Sequence, residues 1–279
     1  MKIEQGCTAY VSGAGSGIGR GIALALAARG AAVALCDIRA DAVTAVADEI
    51  RAGGGRALAL ELDVSDADAV EAVAARIEEE LGPVSIVCNN AGVAMHGVPL
   101  HEISLADWEW VIGVNVMGVV HGMRAFVPRM LARGGAGHVV NTASIGGFQV
   151  NPDFLTGAYS MTKYAVVALS EGLQQELSGS GIGVSVLAPA AVDTGIHLSG
   201  RARPERLGGA TLREENHFMG ALIRDGAAPE AIGEQVAAAV ESGLFYIFTH
   251  TDTLPWLKAR HARIETAFGQ VAHGAKAAE

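Results

Sequence analysis

Short apolar runs alternate with longer amphipathic stretches along most of this 279-residue chain, and that alternation constrains its fold more than any other feature. Cys7–Val11, Ala32–Cys36, Arg56–Leu62, Val84–Cys88, His138–Asn141, Val184–Leu187 and Phe245–Phe248 read as strands. Helical patterns cover Arg20–Arg29, Asp41–Ala52, Ala67–Leu81, Leu105–Met130, Tyr159–Leu177, Pro229–Ser242 and Leu254 to about Phe268. A parallel neighbour is reached only through a long crossover, so strands alternating with helices predict βαβ units. The expected fold is α/β: one domain over residues 1–270, with a doubly wound, mainly parallel seven-stranded sheet and helices on both faces, then a flexible tail over 271–279. Gly53-Gly54-Gly55 and Gly82-Pro83 mark helix ends, and Ser65 is placed to cap the helix that follows it. Residues 195–228 break the alternation and read as a lid or binding loop at the sheet's carboxyl edge, with an amphipathic piece from about Thr211 to Asp225.

The first strand runs into Ser12-Gly13-Ala14-Gly15-Ser16-Gly17-Ile18-Gly19 and then into a helix. Glycines let such a turn run tight and bring backbone close to phosphate, while the helix N-terminus offers free N–H groups. A plain βα turn is the alternative, but strand, glycine turn and helix in that order are what a pyrophosphate site requires, and they point to a Rossmann fold. Asp37 ends the second strand, where a carboxylate accepts from an adenosine ribose and repels a 2′-phosphate. The expected cofactor is therefore NAD rather than NADP. Arg39 reads as a solvated charge at the start of the next helix. Gly13, Asp37, Asp63 and Asn89 all fall at carboxyl ends of strands, where ligands lie in such sheets.

Tyr159 and Lys163 are four residues apart in a helical stretch, so phenol and ammonium share a face. Charges ~5 Å apart at an effective dielectric near 20 interact by roughly 3 kcal/mol, about two pKa units off a phenol. Such a tyrosine is a candidate general acid or base. No other tyrosine has a lysine at that spacing.

Composition excludes other classes. The formal net charge is −10 with no block of like charge, which disfavours nucleic acid as a partner. No apolar run is read as long and clean enough to span a bilayer, the N-terminus lacks a signal-peptide layout, and Cys7, Cys36 and Cys88 read as small buried hydrophobes in a cytoplasmic protein. None of the nine histidines forms a metal-binding cluster, so no metal is expected.

With these residues in place the chain resembles the short-chain dehydrogenase/reductase family over roughly residues 5–250, through Gly13-x-x-x-Gly17-x-Gly19, Asn89-Asn90-Ala91-Gly92, Asn115, Ser144 and Tyr159-x-x-x-Lys163 in the family's order. The resemblance implies a catalytic tetrad. Tyr159 exchanges a proton with the substrate oxygen, Lys163 lowers its pKa and contacts the nicotinamide ribose, Ser144 bonds the reacting oxygen, and Asn115 holds a relay water. It also implies cofactor contacts from Gly13, Ser16, Gly17, Ile18, Gly19, Asp37, Ile38, Asp63, Val64, Asn90, Ala91, Gly92, Pro189, Val192 and Thr194, and a homotetramer or homodimer. Two positions depart from the family pattern: Ser12 stands for a threonine, and Ala190 for a glycine after Pro189.

The segment around Ile196-His197 and Arg203-Pro204-Glu205-Arg206, with Phe245–His250, is similar to bacterial benzylic-alcohol Cα-dehydrogenases of lignin aryl-ether breakdown, and less closely to terpenoid alcohol dehydrogenases of actinomycetes. That likeness implies NAD-linked oxidation of a bulky secondary alcohol, with hydrophobic alcohol or ketone as partner. His197 is a candidate substrate contact or a loop histidine. Arg203 and Arg206 hold a substrate carboxylate or form an ordinary charge pair. An NADPH-linked ketone reductase and a non-catalytic dinucleotide-binding regulator are the alternative functions.

Overall fold

Alternate residues of each strand serve opposite faces of the sheet, and here both faces are covered. In the computed structural model Tyr10 packs toward Phe126, Ile77 and Leu173 on one side, while its neighbours Ala9 and Val11 join Ile22, Leu26, Val46 and Val236 on the other. The structure describes residues 1–151, 154–211, 220, 221 and 223–276, with 271–276 described by backbone alone.

Seven strands form one sheet: β1 (Thr8–Ser12), β2 (Ala32–Asp37), β3 (Ala57–Glu61), β4 (Val84–Asn89), β5 (Gly137–Thr142), β6 (Ile182–Ala188) and β7 (Tyr246–Phe248). Their order is β3-β2-β1-β4-β5-β6-β7, and every pairing is parallel. The strand order reverses between β1 and β4, so the crevice at their carboxyl ends is where a ligand site is expected. The helices are α1 (Gly17–Ala28), α2 (Ala40–Ala52), α3 (Ala67–Glu80), α4 (Leu105–Ile112), α5 (Gly118–Arg133), α6 (Gly157–Glu176), α7 (Pro229–Ser242) and α8 (Leu254–Lys276). α1 and α7 meet backbone to backbone: a methyl on Gly21 would overlap the Pro229 carbonyl, and one on Gly233 would overlap the Gly21 carbonyl. That close seating sets α1, and hence its N-terminus, firmly under the glycine turn.

Several local expectations change. The stretch expected as a single helix from Leu105 to Met130 contains a π-helical turn over Gly113–Met117, in which Gly118 N–H bonds Gly113 O. A wider turn of this kind re-aims one side chain, and Asn115 is in it, fully buried. By length and composition, the continuous helical run Leu105–Arg133 is apolar enough to cross a bilayer, contrary to the sequence reading, but half of its most apolar window is buried inside the domain. Asp66, not Ser65, caps α3, accepting from the N–H groups of Asp68 and Ala69; Ser65 instead turns back onto Asp63. α8 continues to Lys276 rather than ending near Phe268, so of the expected tail only 277–279 lie outside the described residues. The expected amphipathic piece from Thr211 to Asp225 lies largely outside them too.

Candidate active site

Ser12 closes β1 and organises the crevice. Its hydroxyl accepts from Asn90 N (2.9 Å) and Ala91 N (3.1 Å), and donates to Cys88 O at 3.4 Å. The serine therefore ties the loop after β4 to the end of β1. Asn90 adds its own ties, donating to Ser12 O at 3.0 Å and accepting from Thr142 Oγ1 at 3.2 Å.

The glycine turn is built for close approach. Gly13 has φ +66°, and a methyl there would stand 2.9 Å from Ala91 Cα; one on Gly19 would overlap the Gly13 carbonyl. Gly17 has φ +52° and faces Thr194, whose Cγ2 would lie 3.0 Å from an added Cβ. Ser16 precedes α1 without a side-chain cap, and no acidic residue occupies the first turn. The N–H groups at that end are thus available to an anion. The fit to a dinucleotide is close: a cradle that a Cβ would fill, an uncapped helix start, and Asp37 at the end of β2. Asp37 accepts from Gly15 N and Arg39 N, both at 3.1 Å. Arg39 is a solvent-exposed charge at the start of α2, as expected. Its guanidinium reaches Ser16 Oγ at 2.9 Å and approaches Asp37 at 3.7 Å, at the same end of the crevice.

A cavity of about 1230 Å³ runs from this turn along the carboxyl edge of the sheet. Ser16, Ile18, Ile38, Asp63, Val64, Gly92, Pro189, Val192 and Thr194 all border it, as do Gly13, Gly17, Gly19, Asp37, Asn90 and Ala91. At its far end are Ser144, Tyr159 and Lys163. Ala190 borders it as well, its N–H donating to Thr249 Oγ1 at 3.3 Å.

The electrostatics of this end differ from the sequence estimate. Lys163 is almost wholly buried and donates to the Thr142 carbonyl at 2.9 Å, standing 5.6 Å from the centre of the Tyr159 ring. Burial lowers the Lys163 pKa to about 8. Burial also raises the Tyr159 pKa to about 12, against the pull of its hydrogen bond with Ser144. Desolvation of the phenolate thus outweighs the nearby ammonium, whose charge is itself disfavoured there. The i, i+4 spacing places the pair correctly, but it carries no information about the dry surroundings. Ser144 Oγ also accepts from Gly146 N at 3.1 Å.

Asn115 does not border the cavity. Its Oδ1 accepts from Val93 N (2.8 Å), and its Nδ2 donates to Val93 O (3.0 Å) and Thr162 Oγ1 (3.1 Å). With both amide donors taken, the side chain braces the loop after β4 against α6, one position before Lys163.

The segment after β6 borders the far end through Ile196, Leu198, Ser199 and Arg203. His197 is not among the lining residues; its ring lies against Gly220. Arg203 pairs with Asp107 at 3.1 Å with both side chains nearly buried, and Arg206 pairs with Glu109 at 2.7 Å in the open. Both arginines thus act as charge pairs that pin this segment to α4.

Sequence reasoning missed His96, Gln149, Trp110 and Trp256, which border the same cavity. Nothing in spacing or composition singles them out, because each comes from a different loop or helix brought in by tertiary packing.

A family model described as short chain dehydrogenase matches residues 7–204. Among curated proteins, the chain is 36% identical over 256 residues to a C alpha-dehydrogenase of Sphingobium sp. strain SYK-6, covering 90% of this chain and 83% of that one. It is also 36% identical over 245 residues to 1-deoxy-11-beta-hydroxypentalenate dehydrogenase of Streptomyces exfoliatus, covering 88% and 83%. Among solved structures, a short chain dehydrogenase/reductase from Burkholderia phymatum in complex with NAD superposes with a TM-score of 0.90, at 37% identity and 96% coverage of both chains.

Proposed function

The chain belongs to the short chain dehydrogenase family and is an oxidoreductase of that type, and on that premise we propose that it interconverts a bulky secondary alcohol, aryl or cyclic, and its ketone with NAD. One observation carries the reading: Ser144, Tyr159 and Lys163 meet at one end of a cavity whose other end is a glycine-lined, uncapped helix start with Asp37 beside it. The dehydrogenases among the relatives, and the NAD bound in the Burkholderia structure, support it.

When bound, the dinucleotide supplies the hydride acceptor or donor. The remaining work falls to this chain. The α1 N-terminus and the Gly13–Gly19 turn hold the pyrophosphate, Asp37 accepts from the adenosine ribose, and Lys163 holds the nicotinamide ribose. Ser144 bonds the substrate oxygen and Tyr159 moves a proton at its hydroxyl. A phenol raised to about 12 is a poor base at neutral pH and needs a cation beside it to come into range, which Lys163 is placed to supply. Oxidation therefore speeds up as pH rises toward about 8 and loses that help as Lys163 gives up its charge above it. The segment over 195–228 acts as a substrate lid, and the exposed Met117 and Met161, from the π turn and α6, suit self-association into a dimer or tetramer.

A second reading, use of NADP, draws on Arg39 beside Ser16 and Asp37. Nicotinamide reduction with NAD+ and NADP+ over a panel of aliphatic, cyclic and aryl secondary alcohols tests both readings. Turnover with NAD+ on the bulky members, lost in Tyr159→Phe while NADH still binds, is the expected result. Full activity in Tyr159→Phe would sink the mechanism.

A further inference from the structure

The peptide that joins Pro189 to Ala190 follows β6 and borders the cavity, as Ser144 does. It is gripped on both edges. Its carbonyl accepts from Ile145 N at 2.9 Å and from Ser144 Oγ at 3.4 Å. Its N–H donates to Thr249 Oγ1 at 3.3 Å, just past the point where the pairing of β6 with β7 stops at Ala188 and Phe248. Thr249 is held in turn, its Oγ1 standing 2.6 Å from His250 Nδ1. A hydroxyl has one proton, and with the Ala190 N–H already aimed at the oxygen that proton goes to Nδ1. This assigns the imidazole's own proton to Nε2. The His250 carbonyl accepts from Thr253 Oγ1 at 2.9 Å, and Thr253 is buried, so the turn that carries the pair is itself fixed. Neither Thr249 nor His250 borders the cavity.

We infer that Thr249, fixed by His250, is a positioning residue for Ser144, acting through the single peptide between Pro189 and Ala190. The inference rests on the proposed dehydrogenase reading, in which Ser144 bonds the reacting oxygen. In a trans peptide the C=O and N–H point in opposite directions, so a grip on the N–H sets where the carbonyl aims. Ser144 has one proton to give. At 3.4 Å the Pro189 carbonyl competes for it only weakly, which leaves the hydroxyl free to turn to the substrate oxygen. A peptide released from Thr249 rotates. Its carbonyl then either closes on Ser144 and takes that proton, or withdraws and leaves the hydroxyl unaimed. Both outcomes weaken a hydrogen bond needed in the transition state, so the loss falls on kcat. The stretch Phe245–His250 thus serves the site from behind its wall.

The test uses the full chain with NAD+ and the secondary alcohol of the panel that wild type oxidises fastest. Thr249→Val keeps the shape and removes the acceptor. It should lower kcat about three- to tenfold, the worth of one hydrogen bond, with KM for the alcohol nearly unchanged. Thr249→Ser restores the hydroxyl and should recover most of the rate. His250→Leu, which leaves that hydroxyl free to rotate, should lose a smaller part, and it carries the test if Thr249→Val does not fold. Urea midpoints check that each variant is folded. The deciding readout is coupling: in a Ser144→Ala background, assayed as NADH formed with enzyme in excess of alcohol, Thr249→Val should change the rate by less than about twofold. A Thr249→Val enzyme with wild-type kcat, a Thr249→Ser that recovers nothing, or a full loss repeated on top of Ser144→Ala overturns the inference while the dehydrogenase reading stands. Absence of wild-type turnover on the whole panel with either cofactor overturns that reading and the inference with it.

Discussion

Replacing Ser12 with alanine removes one oxygen and unties the two strands that flank the crevice. Ser12 is 3% exposed, and its Oγ is the acceptor for the backbone N–H groups of Asn90 and Ala91. Each buried amide left without an acceptor costs about 1–3 kcal/mol, so two bring roughly 2–6 kcal/mol if nothing relaxes. The adjoining cavity lets a water reach one of them, which reduces the expected loss to about 2–3 kcal/mol. For a chain of this size that is a fall in Tm of roughly 5–10 °C. Because Asn90–Gly92 border the cavity directly, NADH affinity should fall as well. Urea denaturation followed by tryptophan fluorescence, with calorimetric titration of NADH, reads both effects. Ser12→Thr keeps the hydroxyl and should stay within about 1 kcal/mol of wild type. A Ser12→Ala protein matching wild type in stability and NADH affinity would refute the reasoning, because the two amides would then not depend on this oxygen.

Three further outcomes follow from buried groups. His138 is fully enclosed, with Nε2 2.7 Å from Ser185 Oγ, and burial lowers its pKa from 6.5 to about 4. A depressed histidine contributes fully above pH 6.5, and the unfolded chain gains the proton first as pH falls, so roughly 3 kcal/mol is lost between pH 6.5 and 4. Denaturant midpoints across that range should fall less steeply in His138→Gln, and an unchanged slope would count against the assignment. Breaking the Asp107–Arg203 pair with Asp107→Leu leaves a nearly buried guanidinium uncompensated, at a cost on the order of 3 kcal/mol; limited proteolysis should then cut earlier within residues 195–211, and an unaltered pattern would show that the pair does not pin that segment. Gly122→Ala should destabilise by about 1–3 kcal/mol despite alanine's better helix propensity, because the methyl would overlap Asn89 Oδ1, whose amide is held by Asn141; a stabilised variant in thermal melts would refute this.

The ladder of seven strands, its parallel sense and its cover of helices on both faces were legible in the order of apolar runs and crossover stretches, since period and length limit what each run can become. The glycine turn, Asp37 and the Tyr159–Lys163 pair were legible for the same reason: each is a local arrangement in which neighbours along the chain are neighbours in space. Asn115 was visible as an awkward residue inside an apparent helix, but only the fold shows a π turn there and an amide committed to Val93 and Thr162.

The failures share one physical origin. The charge on Lys163 and the acidity of Tyr159 depend on which segments exclude water around them, and those segments lie tens of residues away along the chain. Arg203 read as a solvated charge because sequence cannot show that Asp107 stands opposite it. The sequence by itself thus determined the sheet, the turn that receives a dinucleotide and the face shared by Tyr159 and Lys163. Only the tertiary structure decided how dry that face is and that Arg203 is held against Asp107, because desolvation and long-range pairing are properties of packed segments and not of residue spacing.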